Sequence, residues 1–89
     1  MKVCFQVHVS GIVQGVFFRA SAQQQAIELG ISGYAINLAD GDVELMICGE
    51  PESVEKMLEW LKQGPPNATV EKLQSKQVNL QEYNHFSIG

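Results

Sequence analysis

Val3, Phe5, Val7 and Val9 alternate with Cys4, Gln6, His8 and Ser10, a period of two that predicts a strand with one buried and one wet face. Beyond Arg19 the period changes. Phe18, Ala22, Ala26 and Leu29 recur at helical spacing while Gln23, Gln24, Gln25 and Glu28 fill other positions, so an amphipathic helix is expected, with Gly30 suited to a left-handed cap. Ile31 to Leu38 is rich in strand formers, Asp40-Gly41 is a hairpin signal, and Val43, Leu45 and Ile47 alternate with Glu44, Met46 and Cys48. The second and third strands are therefore expected as an antiparallel pair. Pro51, Glu52 and Glu55 open a stripe of Val54, Leu58 and Leu61 that stops at Gly64-Pro65-Pro66, which predicts a second helix. Thr69 to Val78 reads as a strand near a sheet edge, and Phe86 and Ile88 as a short last strand. The order β-α-β-β-α-β, plus that last strand, predicts an α/β fold of the α+β kind. The expected arrangement is a ferredoxin-like split βαβ sandwich, with two helices on one face of an antiparallel sheet and residues 1–89 forming a single domain.

Composition narrows the function classes. At 89 residues the chain buries roughly 60–65% of its unfolded surface, and no apolar run approaches the ~20 residues of a membrane span. A net charge of −4 disfavours broad contact with nucleic-acid phosphates. The exposed positions of the central strands, Cys4, Gln6, His8, Glu44 and Met46, also lack the aromatics of a base-stacking sheet. The start, Met1-Lys2-Val3-Cys4-Phe5, goes straight into alternation with no leader pattern, so a cytoplasmic protein is expected.

The stretch Gly11-Ile12-Val13-Gln14-Gly15-Val16-Phe17-Phe18-Arg19 joins the first strand to the first helix and carries the only arginine. Gly15 lets successive N–H groups turn inward, the helix adds the positive end of its dipole, and Arg19 offers a planar charged fork for two anion oxygens. Pattern alone leaves an ordinary strand-to-helix connection with a solvated charge as an equal reading.

Two spaced segments go further. Gly11-x-Val13-Gln14-Gly15-Val16-x-Phe18-Arg19 and Leu29-Gly30-Ile31-x-Gly33-Tyr34-x-x-Asn37-x-x-Asp40-Gly41-x-Val43-Glu44 resemble the signature segments of the acylphosphatases, and Trp60-Leu61, Gly64-Pro65-Pro66 and Phe86-x-Ile88 extend the likeness. The resemblance implies a monomeric enzyme that hydrolyses small-molecule acyl phosphates to a carboxylate and inorganic phosphate, with no metal or organic cofactor and no nucleic-acid or membrane partner. Phosphate or sulfate would compete as anions. It assigns catalysis to Arg19 and Asn37: the arginine grips phosphate, the asparagine positions the attacking water, and Gln14, Gly15, Val16, Phe17 and Phe18 form the backbone cradle. Ile36 and Ala20 depart from the family's usual residues beside the two catalytic positions. The alternative is a non-catalytic phosphate-binding module of the same fold.

Other residues carry plainer readings. His8 is expected as a surface histidine on the outer sheet face, His85 as exposed, and Asp40 and Asp42 as turn residues rather than metal ligands. Phe18 should pack inward while Phe17 borders the acyl group. Cys4 and Cys48 are expected opposite one another, in a register that also joins Gln6 to Met46 and His8 to Glu44. In a reducing compartment the thiols should be free, with a disulfide forming only on exposure to air or oxidant.

Overall fold

Seven elements follow in the predicted order in a computed structural model that describes all 89 residues, Met1–Gly89. They are β1 (Val3–Ile12), α1 (Phe18–Leu29), β2 (Ser32–Asn37), β3 (Val43–Gly49), α2 (Pro51–Gln63), β4 (Thr69–Val78) and β5 (Phe86–Ile88). One five-stranded sheet runs in the order β4-β1-β3-β2-β5, with β1 paired along both of its edges. Val7, Val9, Leu45 and Ile47 face the helices and pack with Phe18, Ala22, Ala26, Val54, Met57 and Leu61. Small alanines on α1 let that helix approach the sheet closely, whereas α2 fills its side with Met57 and Leu61.

The sheet is mixed rather than antiparallel throughout. β5 lies parallel to β2, with Gly33 opposite Phe86 and Ala35 opposite Ile88. Strand directions explain the difference. β4 ends with Val78 beside Cys4, and Cys4 lies opposite Cys48, which in turn faces Ser32 at the start of β2. The chain leaves β4 at the end of the sheet where β2 begins, so a strand entering there points the same way as β2.

Residues 79–85 make that crossing over the outer face. The Gln81 backbone N–H and carbonyl both lie within sulfur hydrogen-bonding distance of Cys4 Sγ, and the Tyr83 ring meets Tyr34 edge-on at 6.0 Å. Cys4 and Cys48, outward by alternation, are therefore buried, at 0% and 3% exposure. The expected register is present in full: Cys4 opposite Cys48, Gln6 opposite Met46 and His8 opposite Glu44. The thiols are not free as expected but joined in a Cys4–Cys48 disulfide, because opposed residues at a Cα separation of 4.1 Å are within reach of one another.

At the other end of the sheet, β1, β2 and β5 finish while β3 and β4 begin. A bulge between Ser10 and Gly11 shifts the register of β1 against β4 there, and the pairing continues through Gly11 opposite Val70 and Ile12 opposite Thr69. Gly11 has φ 127°, and a Cβ would stand 2.1 Å from the Thr69 carbonyl oxygen, so only glycine fits.

With a sequence separation of 44, loop closure predicts that the bridge stabilises the fold by about 4 kcal/mol. Cys4→Ser should lower the urea midpoint by a corresponding amount, and thiol counting on native protein without reductant should find none. Two free thiols and unchanged stability would contradict it.

Candidate active site

The loop between β1 and α1 has left-handed backbone at Gly15 (φ 74°) and at Phe17 (φ 61°), with a residue of negative φ between them. This alternation makes a concave nest of N–H groups. Phe17 is the one non-glycine residue in the chain with positive φ, a conformation costing on the order of 1–3 kcal/mol. It is also the N-cap of α1, makes no side-chain cap, and is followed by a first turn without acidic residues. The N–H groups of residues 14–17 donate to no other protein group. Backbone donors, an uncapped helix start and the lone guanidinium thus meet at one place, and that combination can hold an anion.

Phe18 anchors the loop from below. Its ring is 1% exposed and lies 6.1 Å from Trp60. Phe17, by contrast, is 78% exposed. It shares a recess of about 260 Å³ with Val13, Gly15, Arg19, Ala20 and Ile88. A larger recess of about 500 Å³ lies on the outer face, lined by Gln6, His8, Glu44 and Lys76 among others. Its one lysine is offset by a glutamate, so it is the poorer anion site.

Arg19 Nη1 donates to the backbone carbonyl of Gly89. Gly89 in turn donates its N–H to the Ala35 carbonyl at 3.1 Å and lies against the Ile36 side chain. Asn37 follows directly, exposed at the end of β2 and paired with Val43. On its other flank, Gln14 Nε2 donates to the carbonyls of Leu38 at 2.9 Å and Asp42 at 2.8 Å. Asn37 is therefore bracketed by one residue that touches the support of Arg19 and another that the loop itself grips. The Gln14 side chain is turned to the β2–β3 hairpin and leaves only its backbone for the cradle.

His8 differs from the plain surface histidine expected. Its Nε2 lies 2.6 Å from Asp42 Oδ2, which also accepts from Ser10 Oγ at 3.1 Å. Asp40 Oδ1 accepts from the Asp42 N–H at 3.0 Å, the turn role expected of it. Donor atoms of His8, Asp40 and Asp42 come within 4.8 Å of one another. The hydrogen bonds among these residues account for that grouping. Sequence reasoning missed Gln14, Ser10, His8 and Asp42 as a connected set, because the contacts link residues 24 to 34 positions apart.

The His8 hydrogen bond, aided by the Ser10 hydroxyl and the charge of His8 and opposed by partial burial, holds the Asp42 carboxyl below its ordinary value of 3.8. A lowered folded value contributes stability above the unfolded one, and that contribution is lost as pH falls through the folded value. Asp42→Asn should therefore lie below wild type in urea stability from about pH 5 upward, with the gap closing as pH falls toward about 2. A gap that stays constant down to that pH would show that the charge of Asp42 contributes nothing.

A family model described as acylphosphatase matches residues 5–88. A curated acylphosphatase from Colwellia psychrerythraea is 58% identical, with each chain covered in full. The solved acylphosphatase from Coxiella burnetii superposes with a TM-score of 0.95 at 43% identity, over 99% of this chain and 93% of that one. The crystal structure of acylphosphatase from Bacillus subtilis gives 0.94 at 30% identity, over 98% of both.

Proposed function

Since the chain belongs to the acylphosphatase family and hydrolyses acyl phosphates, we propose that Arg19 and the loop N–H groups bind the phosphoryl oxygens and that Asn37 orients the attacking water. The observation that carries this reading is the bracketing of Asn37 by Ile36 against Gly89, which accepts from Arg19, and by Leu38, which accepts from Gln14.

Phosphoryl transfer asks for positioning and neutralisation of charge on the equatorial oxygens, with little covalent work by the protein. One Arg19 nitrogen is engaged by Gly89, and the guanidinium has further N–H donors for phosphate. The backbone donors of the loop take the remaining oxygens. Water attacks phosphorus, the P–O bond to the acyl group breaks, and the carboxylate departs without protonation. The side-chain amide of Asn37 can both donate to and accept from water but is too weak a base to take its proton, which passes to a substrate oxygen. The acyl group lies in the recess bordered by Phe17, Ala20 and Ile88, where Phe17 and Ile88 expose apolar surface.

The same reading places the enzyme in the cytoplasm as a monomer acting on small molecules, with inorganic phosphate or sulfate competing at the cradle. No helix is long and apolar enough to cross a membrane. Burial under residues 79–85 would keep the disulfide from soluble reductants in such a compartment.

Benzoyl phosphate should be hydrolysed in the presence of EDTA. Arg19→Ala should lose on the order of 10³-fold in kcat together with phosphate affinity, and Arg19→Lys should recover little, because an ammonium lacks the planar fork. Asn37→Ala should lower kcat by about 100-fold with phosphate inhibition nearly unchanged. A lysine variant with near-normal kinetics, or lost phosphate affinity at normal turnover in the asparagine variant, would contradict these roles.

A further inference from the structure

We infer that Gln14 and Asp42 are positioning residues that brace Asn37 against the anion loop, an inference that rests on Asn37 being the residue that orients water. Asn37 stands at an exposed strand end, and its own side chain makes no hydrogen bond that would fix it. Its position depends on the hairpin that follows. The neck of that hairpin is closed by the Leu38 N–H donating to the Asp42 carbonyl at 2.8 Å. Gln14 reaches into this neck. Both of its partners are carbonyl oxygens, so only the NH₂ end of the amide fits, and its two hydrogens serve Leu38 and Asp42 separately. One side chain of the anion loop thus grips both arms of the turn, one of them the residue next to Asn37.

The second attachment comes from β1, the strand that leads into the loop. Asp42 Oδ2 takes hydrogen bonds from His8 and Ser10, both on the outward face of β1. β1 and β3 already pair up to Val9 and Val43, and Asp42 extends this tie one residue beyond the ladder. The hairpin is then held from two directions, by the strand before the loop through Asp42 and by the loop itself through Gln14. A rigid link of this kind matters because a reacting group misplaced by about 1 Å can cost on the order of 100-fold in rate.

The test uses Gln14→Met, which keeps the length and removes the donor, and Asp42→Ala, each compared with Asn37→Ala and wild type. Readouts are kcat, the inhibition constant for inorganic phosphate, and the side-chain amide resonance of Asn37. Both variants should lose roughly 10- to 100-fold in kcat, hold phosphate inhibition within about twofold, and shift the Asn37 amide signal. Asp42→Asn, which retains an acceptor oxygen for Ser10 and His8, should recover most of the loss. Should Asp42→Ala fail to fold, Gln14→Met and Asp42→Asn decide. If Asn37→Ala keeps wild-type kcat, the water-orienting role itself fails. If Asn37→Ala is impaired while Gln14→Met turns over normally, or if kcat and phosphate affinity fall together, the brace is overturned and the role of Asn37 stands.

Discussion

Backbone N–H groups without a protein partner must meet water or an anion, and the segment between β1 and α1 carries a run of them beside an uncapped helix start. Left-handed backbone at Gly15 and Phe17 keeps those donors from closing a turn of their own. Holding such a loop in one conformation costs entropy and, at Phe17, steric strain, so the surrounding structure must over-determine it. It does so at two points, with Phe18 sunk into the core beside Trp60 and Arg19 held by Gly89, while Gln14 ties the β2–β3 hairpin to the loop so fixed.

The topology brings these points together. Two helices on one face leave the strand ends free, and the finishing ends of β1, β2 and β5 gather at one edge of the sandwich. β5 has only three residues, yet its parallel seat beside β2 carries Gly89 to both Ala35 and Arg19. The opposite edge is devoted to stability, where the crossing of residues 79–85 seals the disulfide and the Tyr34 side of the sheet. There, partial burial followed by the hydrogen bond to Glu44 pushes the Tyr34 hydroxyl up to about 12, so it stays a neutral donor throughout the ordinary pH range.

Much of this was legible in the residues. Alternation placed Cys4 opposite Cys48 because side chains of period two on antiparallel strands leave few registers that keep Phe5, Val7, Leu45 and Ile47 on one face. Arg19 stood out as a single cation beside glycines, whereas Asn37 was visible only through its place in a long spaced motif. The direction of β5 was not legible, since it depends on which end of the sheet the chain reaches after β4. Nor was the oxidised state of the cysteines, which alternation alone cannot set. His8 and Asp42 each had a sufficient local explanation, and their contact arises only when the hairpin folds over the end of β1. Gln14 was read as part of the cradle by position, while its side chain serves a hairpin 24 residues away.

The claim on which the account turns is that the 14–19 segment is a preformed anion seat, and a phosphate titration followed by backbone amide NMR in EDTA reads it directly. A seat of this kind gives saturable shifts concentrated at Gly15, Val16, Phe17, Phe18 and Arg19 in wild type, absent in Arg19→Ala. Saturable shifts centred on the outer sheet face around Gln6, Glu44 and Lys76, or none at residues 14–19, would contradict it.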